Sequence, residues 1–192
     1  MTQLQDAVGT GLAATARVSP GLSGRLALQL WHRPGRRPRL RPEEDAVIEA
    51  ARTTYVEHRS GRVTAYAWGD GQRPVLLVHG WGSRAGRWAE VVTAALDAGL
   101  SPVSYDAWAH GATPGRIGAT VLDHQDVIAE LAHRSGGFEA IAGHSFGAIV
   151  ALSAAREGIA ARRLVTISGE GDFANLVDTF CTGLRLPPAV NG

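Results

Sequence analysis

Across 192 residues the chain is 45% hydrophobic, 19% charged and 6% aromatic, with a formal net charge of +1. That is long enough to bury a real core, and the composition excludes a disordered or collagen-like chain and one steered to nucleic acid by its charge. All 19 cationic side chains are arginine, and the single cysteine, Cys181, excludes an intrachain disulfide and a cysteine-rich zinc site.

Residues 1–32 form an Ala/Leu-rich arm in which Leu22, Leu26 and Leu30 recur at helical spacing beside Trp31. No run reaches the roughly 18 apolar residues of a membrane-spanning helix. The arm also lacks a basic n-region, and Gly9, Gly11, Ser19 and Pro20 interrupt it, so a cytoplasmic protein without a signal peptide is expected. His32–Pro42 then carries five arginines and three prolines. Proline at this density forbids a regular helix or central strand. The segment reads as a solvated linker offset by Glu43, Glu44 and Asp45, with a phosphate- or headgroup-binding patch as the alternative.

From Thr53 the pattern alternates strand, turn and helix. Thr53–His58 and Arg62–Trp68 read as strands joined at Ser60-Gly61, and Pro74–His79 as a strand buried on both faces. Trp88, Val91, Val92, Ala95 and Leu96 mark one helical stripe, closed by Gly99. Pro102–Asp106 is the next strand, followed by a helix through Val121, Val127, Ile128, Leu131 and Ala132 that stops at Gly136-Gly137. Phe138–Ala142 is a strand, Phe146–Arg156 an Ala-rich helix and Arg163–Ser168 a strand. Crossovers of this length predict an α/β fold, a mostly parallel sheet with helices on both faces. The domain plan is an arm and linker over 1–52, a core over 53–172, and a further helix from Phe173 within 173–192.

Three stretches could carry chemistry. Gly143-His144-Ser145-Phe146-Gly147 fits G-x-S-x-G and lies between a buried strand and a helix, where a nucleophile elbow requires it. The elbow needs nearly side-chain-free flanks, which Gly143 and Gly147 supply, and it aims Ser145 Oγ over the strand ends at a helix N-terminus. The alternative is a Gly-Ser-Gly turn with no reactive serine. His79-Gly80-Trp81-Gly82 follows a strand, so the backbone N–H groups of Trp81 and Phe146 are the expected oxyanion donors. Here the alternative is a glycine turn into a helix capped by Ser83. Asp106 and His110 share one loop ahead of the nucleophile, where a carboxylate is expected to organise the turn by accepting backbone N–H bonds.

Together, Leu76–Gly82, Tyr105–Gly111 and Gly143–Gly147 resemble the α/β-hydrolase superfamily, in its lipase, esterase and acyl-peptidase-like members, over roughly residues 53–172. The family loop often reads D-x-P-x-H-G, and this chain has Trp108 at the proline. Serine in the nucleophile seat argues against the dehalogenases and epoxide hydrolases, which use aspartate there. The resemblance implies a triad in the order Ser, Asp or Glu, His. Yet the seven histidines are His32, His58, His79, His110, His124, His133 and His144, and none follows Ser145. His124 and His133 are expected on a helix at the flank of the sheet, and Glu170 and Asp172 stand where some members carry the acid.

The resemblance also implies two further strands, bearing the acid and the histidine. Without them Arg163–Ser168 is an open apolar edge. Phe173–Leu186 looks like the start of a helical lid, and the chain is expected to be an incomplete or truncated form, inactive by itself. The expected function is serine hydrolysis of a carboxylic ester, thioester or amide through an acyl-enzyme on Ser145. The alternative is a non-catalytic relative that binds an apolar ligand or a partner. The expected partner is a small-molecule acyl substrate, with no nucleic acid and no membrane span, and Trp81 and Trp108 are expected near the pocket mouth. No phosphate loop, Rossmann fingerprint or metal-ligand spacing occurs, so no cofactor and no metal is expected.

Overall fold

A computed structural model describes residues 3–59, 61–169, 173–184 and 186. It falls into two compact units, residues 1–33 with 172–192, and residues 34–171.

The first unit is helical. α1 (Gln3–Val18) and α2 (Pro20–Trp31) are separated by Ser19, whose side chain caps α2 by accepting the Leu22 N–H. Ser23 Oγ ties the pair by donating to the Leu12 carbonyl at 2.9 Å. α7 (Phe173–Gly183) sets Phe180 edge-on to Trp31 of α2, with ring centroids 4.7 Å apart.

The second unit is a six-stranded sheet. Its strands are β1 (Arg52–His58), β2 (Gly61–Ala67), β3 (Pro74–Val78), β4 (Ser101–Asp106), β5 (Ala140–His144) and β6 (Leu164–Ile167), in the spatial order β1-β2-β4-β3-β5-β6. β1–β2 and β2–β4 pair antiparallel; the remaining pairs are parallel. The mostly parallel sheet expected from the crossovers is therefore present.

Val75 and Leu77 of β3 face one layer, with Tyr66, Trp88 and Val92. Leu76 and Val78 alternate to the opposite face, where α6 (Phe146–Arg156) packs on β3 and β5 and α5 (Val121–Ser135) packs on α6. All five β3 residues are buried, as a two-sided strand requires. α4 (Ala89–Asp97) covers the first layer, preceded by a 3-10 turn at Ala85–Trp88. Gly99 and Gly136 both take φ near +69° (68° and 69°) just past their helices, as the sequence indicates.

Two differences from the sequence reading bear on the site. Pro42–Glu49 forms a helix, α3, inside the stretch read as linker. Pro42 sits in its first turn, where a missing N–H costs nothing, and Glu44 accepts the Arg41 N–H at 3.0 Å. β5 is shifted two residues toward the serine, because its ladder with β6 runs to His144↔Ile167 while Phe138 makes only an isolated bridge to Ala161.

β6 pairs with β5 alone among the described residues. Its Leu164, Val165 and Ile167 are 37%, 42% and 40% exposed, an apolar sheet edge of the kind the sequence implies.

Candidate active site

Ser145 joins β5 to α6 with φ 55° and ψ −123°, one of three described non-glycine residues with positive φ. L-residues avoid that region because Cβ crowds the backbone, so the turn holds strain of about 1–3 kcal/mol. Surrounding backbone enforces it: the Ser145 N–H donates to the Ile167 carbonyl at 2.9 Å, and the Ala148 N–H donates to the Ser145 carbonyl at 2.9 Å. A Cβ on Gly147 would come within 2.7 Å of the His79 carbonyl oxygen, and one on Gly143 within 2.7 Å of Ala148 Cα. Both positions therefore require glycine for close approach. Ser145→Gly is expected to raise stability by about 1 kcal/mol, because glycine tolerates this conformation, while Ser145→Ala keeps the strain. Urea midpoints of the two variants check this; a Ser145→Gly midpoint below wild type would remove the strain argument.

The loop after β3 lies against this turn. A Cβ on Gly80 would stand 3.1 Å from Ser145 Cβ and 3.1 Å from the His144 carbonyl oxygen. The Trp81 ring packs edge-on to Phe146, at 5.6 Å, and to His110, at 5.3 Å. The structure thus brings together Trp81, Gly143, Ser145, Phe146 and Gly147. Ser83 caps no helix here; the 3-10 turn starts where Asp106 Oδ1 accepts the Ala85 N–H at 2.7 Å.

Asp106 and His110 do organise the loops. Fully buried, Asp106 accepts from Ala85 N–H, from Tyr66 Oη–H at 3.0 Å and from Ala112 N–H at 2.7 Å. Gly111 has φ 45°, and any Cβ there would overlap the Asp106 carboxylate. His110 Nε2 accepts the Gly82 N–H at 3.0 Å, so its proton is on Nδ1, which donates to the Trp108 carbonyl at 2.7 Å. Burial, with His79 adding to it, holds the His110 pKa down at about 4.

His79 is placed alike: Nε2 accepts the Ala107 N–H at 3.1 Å and Nδ1 donates to the Gly80 carbonyl at 2.8 Å. Burial lowers its pKa. His124, expected at the flank, instead turns inward from α5. It is 2% exposed, lies 2.6 Å from Tyr105 Oη through Nδ1, and has its ring 5.8 Å from Phe146. Burial, then His79 and His110, keep it well below an ordinary histidine pKa, and burial pushes the Tyr105 phenol up. These three histidine rings pack together behind the loop after β3, His79 lying 5.1 Å from His110 and 6.5 Å from His124. The sequence offered one hint, that His79 and His110 each sit beside a strand end, but the inward turn of His124 depends on how α5 packs.

A cavity of about 440 Å³ opens beside the elbow, lined by His79, Ser83, Arg87, Trp88, Val91, His144 and Ile167. Its walls are mainly apolar, with Trp88 edge-on to His144 at 6.5 Å. Trp108, expected near the pocket mouth, is instead 9% exposed and donates through Nε1 to His58 Nδ1 at 3.2 Å. Glu170 and Asp172 lie outside the described residues. Among the described residues no cluster of three His, Cys, Asp or Glu side chains is arranged to hold a metal, and no helix is long and apolar enough to cross a membrane.

Comparison with known proteins bears on the fold and the family. The Alpha/beta hydrolase family profile matches residues 75–191. A monoacylglycerol lipase of Paleococcus ferrophilus shares 22% identity, with TM-score 0.52 over 66% of this chain and 52% of its own. A structure reported for carboxylesterases of the thaumarchaeon Nitrososphaera gargenis shares 21%, with TM-score 0.56 over 66% and 50%. The thioesterase domain from the curacin biosynthetic pathway shares 20%, with TM-score 0.54 over 68% and 50%. The chain thus spans about half the length of these solved structures. No curated protein matches it in sequence.

Proposed function

The chain belongs to the alpha/beta hydrolase family, and we propose that it carries the nucleophile and oxyanion half of a serine hydrolase acting on carboxylic esters, thioesters or amides. The observation behind this reading is the strained backbone of Ser145, φ 55° at the β5–α6 junction, in a turn that only glycine flanks allow. Strain at one serine, enforced from two sides, is costly in a purely structural turn and useful where a hydroxyl must be presented.

Ser145 Oγ gives its proton to a general base as it attacks the acyl carbon, the protonated base then serving as the general acid, and the negative charge that develops on the carbonyl oxygen is received by the Trp81 and Phe146 N–H groups. The carbon–heteroatom bond then breaks, the leaving group departs with a proton from the general acid, and water releases the acyl group from serine. The apolar cavity beside His144 is the seat for the acyl chain.

The general base is assigned outside these 192 residues. No histidine follows Ser145 in the sequence. His79 and His110 have both ring nitrogens engaged with backbone groups. The isolated chain is therefore proposed to be inactive or nearly so, with α7 as the beginning of a lid. A fluorophosphonate probe, applied to the product of the complete reading frame and followed by peptide mapping, is expected to mark Ser145 and to leave Ser145→Ala unmarked. A complete product with a folded core and no label would exclude the serine mechanism and favour a non-catalytic binder.

A further inference from the structure

The arginine-rich segment read as a linker is seated on the rim of the site. The Pro34 carbonyl would lie 3.3 Å from a Cβ on Gly82, in the loop after β3. Arg37 Nη1 donates to the Gly111 carbonyl at 3.2 Å, on the neighbouring loop after β4. Arg84 Nη1 reaches back to the Pro38 carbonyl at 3.1 Å, and Leu40 packs against Gly86. Residues 34–40 therefore form a strap across the outside of the two loops that shape the site.

The exposed arginines of this strap, Arg36, Arg37 and Arg39, form no ion pair among the described residues. Arg84 has none either, and its buried Nε lacks any hydrogen-bond partner there. Two of the acids near the strap, Glu44 and Asp106, are already engaged. Glu44 binds Arg87 and the Arg41 N–H, and Asp106 accepts three donors. Arg37 and Arg84 are thus fixed at the rim, and Arg36 and Arg39 are exposed on the same strap, in a chain whose total net charge is +1. The guanidinium fork matches phosphate oxygens in pairs and is weakly hydrated, and a one-signed rim beside an apolar cavity focuses its field on an incoming anion.

We propose that this strap recognises a phosphate group carried by the leaving-group portion of the substrate, so that the site takes acyl esters or thioesters of phosphorylated alcohols or thiols. The acyl part of this statement rests on the serine-hydrolase reading; the phosphate part does not. Titration of the Ser145→Ala chain therefore tests it without any catalysis. The probes are phosphopantetheine and coenzyme A against pantetheine, and glycerol 3-phosphate against glycerol, followed by calorimetry at low and at 0.2 M salt.

At least one phosphorylated probe is expected to bind ten-fold or more tighter than its unphosphorylated counterpart, with the preference shrinking in salt. Arg36→Ala/Arg39→Ala is expected to abolish that preference, whereas Arg59→Ala, a remote arginine paired with Asp123, keeps it. Preference confined to the pantetheine series assigns a thiol carrier, and preference confined to glycerol 3-phosphate assigns a lipid headgroup. Equal binding of each pair, or a preference that survives Arg36→Ala/Arg39→Ala, overturns the proposal. Circular dichroism of the double variant separates lost binding from lost folding. Fluorophosphonate labelling, read separately, reports on the serine alone.

Discussion

Lowering the pH from 7 to 5 is expected to strip several kcal/mol from the stability of the sheet unit, well before its carboxylates titrate. His79, His110 and His124 are buried and neutral, and burial depresses the pKa of each below the ordinary 6.5. In the unfolded chain they take up protons near 6.5. Between that value and their folded values the unfolded state therefore binds more protons, and stability rises with pH. The contribution is complete above pH 6.5 and drains away as pH falls, until the folded histidines titrate, at about 4 for His110. Each such group contributes a slope of up to about 1.4 kcal/mol per pH unit while its folded form stays neutral, and the three act in the same direction.

That loss is comparable to the whole stability of a small domain. Asp70, Asp123 and Glu44 act in the same sense, but their contributions are lost only below the ordinary carboxylate range. For Glu44, burial raises the pKa, and the Arg41 N–H and Arg87 guanidinium outweigh it. Urea unfolding at pH 7, 6 and 5 measures the effect; a flat stability across that range would mean that the three rings are hydrated or already charged. The site is affected as well, since a proton on His110 Nε2 removes the acceptor for the Gly82 N–H and frees the loop that carries Trp81.

The sequence displays the sheet and the strained serine turn clearly because both carry local sequence signals. An all-apolar run such as Pro74–Val78 can be satisfied only between two covered faces. Gly143, Ser145 and Gly147 mark a turn whose sequence pattern is local, although its packing partners His79, Gly80 and Ile167 are distant in the chain. The α3 helix was hidden because proline density reads as disorder, although Pro42 at the first helical position is harmless. The histidine cluster was hidden for a different reason. Whether His124 faces solvent or Tyr105 depends on the rotation of α5 over the sheet, a property of packing between residues 19 apart in the chain. The strap escaped notice likewise, because Arg37 and Gly111 are 74 residues apart. Charge composition showed that the arginines were there; only the fold shows what they border.

Asp106 is where the loops converge, and Asp106→Ala is expected to cost about 3–5 kcal/mol. Its carboxylate joins β2 through Tyr66, the 3-10 turn behind the loop after β3 through Ala85, and the loop after β4 through Ala112. Removing it leaves three donors, at least two of them buried, with no acceptor in a region that Gly111 has kept clear for the carboxylate alone. Asp106→Asn keeps the shape and one acceptor oxygen but turns an amide against an N–H, so it is expected to recover only part of the loss. The alternative role, orienting His110 as a catalytic base, gives a different outcome. His110 bonds the Gly82 N–H and the Trp108 carbonyl rather than Asp106, so an orienting carboxylate would change activity and leave stability alone. Equilibrium unfolding of both variants, with hydrogen exchange at the Ala85 and Ala112 amides, separates the two roles. An Asp106→Ala midpoint matching wild type, with both amides still protected, would show that the loops hold without it and that the path from the sheet to the loop carrying Trp81 runs elsewhere.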